Sequence, residues 1–385
     1  MATADALKRG RRATMLVFLL VGAVWGSWAP HVALVKQRLD LSPGILGLVL
    51  LSAAAGAMVF MPLVGGVIAR IGSGPLTRLL APIVALTLLL PALAPNLPLL
   101  FAGALLLGSA SGAIDIAMNA HGVAIETSIK RPIISRLHAL YSLGVLVGAG
   151  VAALLLPLVG NTLHIVIVTV LLLALTIPVM GGLLPASLDA GGATPKLTWP
   201  PRLALAIGLL AFVAMVGEGA VQDWSAVYLY VNLGSGEGVA ALGVAAFAAT
   251  MTLGRLYGDR LRARFADSRL LVASSIVAAG GLAIGILIPH PATAIAGFGI
   301  MGLGMANIVP LAFAAGARIK GLPSGVGLAA VATIGYAGHM IGPVAIGGIA
   351  ELAGLRWSLF LLVLGLLAIA FAVPHILQAR HGSGD

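Results

Sequence analysis

The residues Gly217-Glu218-Gly219-Ala220-Val221-Gln222-Asp223-Trp224-Ser225-Ala226-Val227-Tyr228-Leu229 lie inside an apolar run extending from 203 to 230. Two carboxylates and a glutamine interrupt a stretch otherwise long enough to cross a bilayer, for which about 20 apolar residues suffice. An ionised side chain at the centre of a membrane helix costs about 2.5–3.5 kcal/mol on insertion scales, so such residues face a cavity or a partner. This helix therefore has a polar side, which points to a permeation pathway and not to a passive anchor.

The same apolar character recurs along the whole chain. Twelve runs stand out, at 13–35, 45–68, 76–94, 99–124, 137–159, 162–184, 203–230, 239–257, 270–288, 292–317, 326–350 and 355–377. Of 385 residues, 60% are hydrophobic and 9% charged, where a soluble chain carries about 25% charge. Cysteine is absent, which excludes disulfides, thiolate metal sites and a thiol nucleophile. The 51 glycines are about twice the average share and suggest helices packed through small residues. Residues 1–12 are polar and basic and run straight into a full-length apolar segment without a small-residue cleavage site. A retained first helix is expected there.

The longest connection, 185–201, contains Asp189-Ala190-Gly191-Gly192 and Pro200-Pro201 and reads as a linker. The expected fold is an all-α membrane protein. Twelve transmembrane helices form two pseudo-symmetric six-helix bundles, 1–184 and 202–385, joined by that linker. Of the 22 lysines and arginines, all but Lys36, Arg38 and Arg356 fall on the N-terminal side of the bilayer. The positive-inside rule then makes that side, and both termini, cytoplasmic. Topology and anionic lipid account for the net charge of +10, so nucleic acid is not expected as a partner.

The halves echo each other. The second run ends in Gly65-Gly66-Val67-Ile68-Ala69-Arg70-Ile71-Gly72, and the eighth in Gly254-Arg255-Leu256-Tyr257-Gly258-Asp259-Arg260-Leu261-Arg262. Both are glycine-rich helix ends running into a basic turn, as a duplicated transporter shows. Twelve helices, a central linker and these two turns resemble the major facilitator superfamily, whose loop motif is a glycine followed by Asp-Arg-x-Gly. The resemblance implies a gating role for Arg70, Gly72, Asp259 and Arg260, although Ala69 stands where the first copy usually has an acid. Residues 28–39, Leu137-His138-Ala139-Leu140-Tyr141-Ser142-Leu143-Gly144, Asp223-Trp224-Ser225 and 335–343 are similar to the YbjJ-like branch, itself similar to fucose and other sugar permeases. His31, followed by Val32-Ala33, replaces that branch's arginine followed by hydrophobic-Pro. The resemblance further implies two bundles around a central cavity, alternating access, a monomer and the bacterial inner membrane.

Candidate site residues follow from polar groups in apolar runs. Low-dielectric surroundings disfavour an ionised carboxylate, so an acid there is a candidate proton carrier. Glu218, about 16 residues into its run and so near the bilayer midplane at ~1.5 Å per residue, is the first candidate. Asp223 is a second, with a possible role in bracing a helix break. Asp115 is a third, sharing a helix face with Asn119, and His138, the side-chain type most easily titrated near neutrality, is a fourth. Substrate contacts are expected from Trp25, Trp28 and His31, a slowly drifting stripe suited to stacking on sugar faces. Asn119, Tyr141, Gln222, Asn307, Tyr336 and His339 complete the set. None of these groups has metal-ligand spacing, and no cofactor is expected.

The expected function is secondary active transport of a small polar solute such as a sugar, coupled to protons. Drug or metabolite efflux by proton antiport is an alternative, and a non-transporting receptor or assembly factor is another. Enzymatic activity is not expected, since no nucleophile–base pairing or metal cluster is visible.

Overall fold

A computed structural model describes residues 4–131, 133–186, 202–319 and 324–378. Most of the central linker, 187–201, lies outside the described residues, as does the side chain of Asp259. The helices are α1 (Ala4–Arg38), α2 (Pro43–Ile71), α3 (Ser73–Thr87), α4 (Leu89–Ala92), α5 (Leu97–Ile129), α6 (Ile134–Met180) and α7 (Arg202–Val227). A π-helical turn (Tyr228–Asn232) follows, then α8 (Glu237–Arg264), α9 (Asp267–Leu287), α10 (Pro291–Met305), α11 (Ile308–Gly316), α12 (Ser324–Ala353) and α13 (Leu355–Gln378).

Among the described residues, 11 helical spans are long and apolar enough to cross a membrane. One of them, in α6, contains Gly160 at φ 72° and ψ 175°, a conformation outside the helical region. That glycine separates the expected runs 137–159 and 162–184, so α6 supplies two spans and the total matches the expected twelve. Two further spans are interrupted, one between α3 and α4 and one between α10 and α11.

The chain divides into two compact units. One holds Met1–Leu41, Val49–Pro195 and Gly236–Ala241; the other holds Ser42–Leu48, Lys196–Ser235 and Leu242–Asp385. In the first, α1 lies along the first half of α6 through a reciprocal set of glycines. A Cβ at Gly22 would collide with Tyr141 O and one at Gly26 with Val145 O; Gly144 and Gly148 in turn face Leu19 O and Ala23 O. Inside a bilayer there is no hydrophobic drive between helices, so close van der Waals contact through small residues must hold them. The second unit repeats the device between α7 and α12. Gly335 faces Met215, Gly338 faces Phe212 O, and Gly342 faces Val216.

Helix ends leave orphan carbonyls that need donors. The three cations expected on the outer side each donate to a backbone carbonyl at or near a helix end. Arg38 donates to Ala94 O at 2.8 Å, Lys36 to Leu41 O at 2.6 Å, and Arg356 to Leu287 O at 3.0 Å. At the basic end of the first unit, Gly72 caps α3 at φ 80°. A Cβ there would lie 2.5 Å from Ala186 Cα, so the turn requires glycine. Beside it, the buried His121 bonds Ser73 Oγ at 2.9 Å and accepts from Leu184 N at 3.3 Å, while Arg78 donates to Leu183 O at 2.9 Å. At the basic end of the second unit, Asp267 in the first turn of α9 takes Arg262 at 3.5 Å and Arg318 at 3.4 Å.

Replacing Gly26 by alanine forces a methyl group into the Val145 backbone and should lower stability by about 1–3 kcal/mol, the range for overpacking. Gly65 has nothing within 4 Å of its Cβ direction, so Gly65→Ala should be neutral or gain up to ~1 kcal/mol of helix propensity. Thermal unfolding of the two variants in the same detergent compares them directly.

Candidate functional site

The Gly-Glu-Gly of α7 faces three helices in three successive residues, because neighbouring side chains on a helix diverge by ~100°. Glu218 points to α8, where its Oε1 meets Arg255 Nη2 at 3.4 Å. A Cβ at Gly217 would lie 3.2 Å from Met301 Cε in α10, and one at Gly219 would lie 3.0 Å from His339 Nδ1 in α12. The two glycines therefore let α10 and α12 close in on either side of the carboxylate. His339 sits within electrostatic reach of Glu218. The side chains of Arg255 and Glu218 keep 17% and 13% exposure, so the pair is neither sealed in apolar packing nor free in solvent.

Arg255, counted from the sequence among the basic residues at the end of the eighth run, lies within α8. Helix α8 runs unbroken to Arg264, and Arg255 is a helix residue paired inside the span. The signal was in the sequence, since Arg255 falls within the apolar run 239–257.

Further along α7, Gln222 and Asp223 are half-buried and make no hydrogen bond or ion pair among the described residues. Trp224 and Ser225 follow, fully buried, with Nε1 and Oγ lacking hydrogen-bond partners among the described residues. The expectation that Asp223 braces a helix break is not met. The helix continues to Val227, and the irregularity is the π-turn after it, closed by Leu233 N to Tyr228 O at 3.0 Å. Such turns recur at functional positions in helices.

In the first unit Asp115 and Asn119 share a face of α5 as their spacing demands. Asn119 Nδ2 donates to Asp115 O at 2.8 Å and to its Oδ1 at 3.2 Å. The expected stripe on α1 divides. Trp25 is half-buried and Trp28 only 4% exposed, while His31 is turned into the packing against α6. There His31 Nε2 lies 2.9 Å from Nδ1 of His164, with the two rings stacked at 5.2 Å. His164 was not singled out from sequence, because a histidine at the start of a run resembles a helix-end residue. His138 packs edge-on against Phe18 at 5.5 Å, and Tyr141 is half-buried one turn further along α6.

Asn307 marks the interruption between α10 and α11 and is buried. Its Oδ1 lies where a Cβ on Gly258 would be 2.5 Å away, and Gly254 similarly faces Ala306. These glycines near the basic end of α8 thus admit the broken span. Tyr336 on α12 is 46% exposed. Arg70 is exposed beside Gly72, and Arg260 lies over the Tyr257 ring at 5.4 Å. Among the described residues no group of three or more histidines and carboxylates gathers as metal ligands would.

No family model matches the chain. It is 37% identical over 358 residues to an uncharacterised MFS-type transporter of Yersinia pestis, covering 93% of each chain. The chain belongs to the major facilitator superfamily. An uncharacterised transporter, y4wD, of Sinorhizobium fredii is 33% identical over 371 residues, covering 94% of this chain and 96% of that one. The membrane protein MosC of Rhizobium meliloti is 33% identical over 378 residues, covering 96% of this chain and 90% of that one. Two structures of the nucleoside transporter NupG share the fold, a mutant form with a TM-score of 0.74 and a second structure with 0.71, each at 15% identity. They cover 94% and 97% of this chain, and 98% and 99% of their own. The chain is thus a multi-pass transporter and not an enzyme.

In this superfamily member the Glu218–Arg255 contact can be weighed by a double-mutant cycle. Arg255→Met leaves a carboxylate without its cation and should cost about 2 kcal/mol; removing both charges together should cost less than the sum. A coupling of about 1–3 kcal/mol is expected from denaturation of the two single variants and the double variant. Additive effects would reduce the pair to two independent surface charges.

Proposed function

We propose that this transporter moves a small polar solute of the sugar or nucleoside kind by proton-coupled alternating access. The observation that carries this reading is the half-buried Glu218–Arg255 pair within the membrane spans of α7 and α8. As a pair it is neutral. A proton arriving at Glu218 cancels the carboxylate and, with it, the attraction that holds Arg255 beside α7, a loss of up to several kcal/mol in low dielectric. Relief comes from a different packing of α7 against α8, which links proton arrival to conformation. Asp223, on the same helix and free of partners among the described residues, is a second proton acceptor. Asp115 with Asn119 plays the corresponding part in the first unit.

The substrate class rests on the polar and aromatic groups Gln222, Asn307, Tyr336, His339 and Trp25, and on the similarity to the YbjJ-like branch and the sugar permeases. NupG, a nucleoside transporter by name, adds a glycosylated solute of similar polarity to the candidates. The distribution of basic residues supports cytoplasmic termini and an inner-membrane location, and the protein acts as a monomer. The basic segments at Arg70–Gly72 and Asp259–Arg260 serve as gating elements.

Purified protein is to be screened by thermal shift against sugars, nucleosides, organic acids and amphipathic cations. A ligand at about a hundredfold excess over its Kd stabilises the folded state by about 2.7 kcal/mol. The hit is then followed in proteoliposomes. Glu218→Gln and Asp115→Asn, tested separately, should each lower proton-driven accumulation at least tenfold while leaving substrate exchange intact. Wild-type accumulation by both variants would remove the proton assignment, and stabilisation by amphipathic cations alone would favour efflux.

A further inference from the structure

At the basic end of the first unit, the first turns of α1 and the end of α5 enclose an open cleft of about 400 Å³. Its lining is Leu7, Lys8, Arg11, Ile129 and Arg131. Three of these five are cations and none is an acid. The volume falls within the ~300–1,000 Å³ of ligand sites. Lys130 ends α5 in the left-handed conformation, φ 51°, and Arg131 leaves the helix there.

Two observations make the cleft more than a charged surface. Arg11 is half-buried, and its Nε is shielded from solvent without a hydrogen-bond partner among the described residues. A buried donor left unpaired is unfavourable, and a guanidinium is best satisfied by a planar or tetrahedral oxyanion that takes two N–H groups at once. The acids closest in sequence do not serve it. Glu126 Oε2 is already held by Ile133 N at 2.6 Å and Ile134 N at 3.2 Å, and Asp5 is exposed in the first turn of α1.

Depth identifies the anion. The apolar run of α1 begins at 13, so Arg11 and Lys8 stand ~3 and ~8 Å beyond it at ~1.5 Å per residue. On α5 the run ends at 124, which puts Ile129 ~8 Å beyond. The polar layer on each side of the hydrocarbon core is roughly 5–8 Å thick. The cleft therefore lies at the level of lipid headgroups, with Leu7 and Ile129 offering an apolar wall to the glycerol and upper acyl chain. We propose that the cleft binds the phosphate of an acidic phospholipid headgroup, with Arg11 as the forked contact and Lys8 and Arg131 as flanking charges. Basic pockets between helices on the cytoplasmic side suit such headgroups.

The test is native mass spectrometry of the full-length protein titrated with phosphatidylglycerol, phosphatidylcholine or inorganic phosphate. Wild type should retain phosphatidylglycerol at least tenfold more tightly than phosphatidylcholine. Lys8→Ala/Arg11→Ala/Arg131→Ala should lose that preference, and Arg11→Lys, which keeps the charge but not the fork, should fall between. The control triple Arg136→Ala/Arg264→Ala/Arg269→Ala removes the same charge from exposed positions and should behave as wild type. Equal loss in both triples would reduce the effect to bulk surface charge and overturn the site. Displacement of phosphatidylglycerol by inorganic phosphate at equal concentration would overturn the lipid assignment in favour of a soluble anion. Should the triple elute aggregated from size exclusion, Arg11→Gln alone carries the test, with a severalfold loss expected and wild-type retention counting against the proposal.

Discussion

Close approach of helices through glycine is the constraint on which the rest of this transporter depends. Gly22 and Gly26 on α1 answer Gly144 and Gly148 on α6, each facing backbone of the opposite helix. The spacing of four keeps each pair on one face. In water such helices would be driven together by apolar burial. In lipid they are held by packing, which fails once a side chain intervenes. The α7–α12 contact repeats this logic in the second unit, and Glu218 is presented from within it. The flanking Gly217 and Gly219 bring α10 and α12 against the carboxylate while leaving it open towards Arg255.

Charge placement is the second organising rule. Few charged residues lie within the spans, and the described ones have defined tasks. Glu218 and Arg255 neutralise each other. Lys36 satisfies the Leu41 carbonyl between α1 and α2, and Arg38 and Arg356 satisfy carbonyls at helix ends, where the negative end of the helix dipole also favours a cation. Asp267 gathers Arg262 and Arg318 at the basic end of its unit. Asp115 and Asp223 depart from the pattern, since neither has a cation beside it among the described residues. A carboxylate without a counter-ion in a membrane span is suited to exchange a proton, because the neutral acid is the cheaper form there.

The superfamily relationship and the local geometry carry different weight. The relatives share the architecture over nearly the whole chain, yet a fold hosts many substrates. We propose that substrate choice rests with side chains such as Gln222, Asn307 and His339, whose roles depend on Å-scale placement.

The helical character and the number of the spans could be read directly from the chain. An apolar run of bilayer length has only one low-energy backbone in lipid, and the glycine-rich basic segments at 65–72 and 254–262 recur at the half-chain offset. The shared face of Asp115 and Asn119 was legible for a similar reason, as helical spacing within one span decides it. Partners contributed by other spans were not legible. That Arg255 answers Glu218, that His31 turns to His164, and that Asn307 sits over Gly258 depend on the rotation of each helix about its axis and on which helix lies beside it. Those choices are set by packing between residues far apart in the chain, and no periodicity within a single helix encodes them.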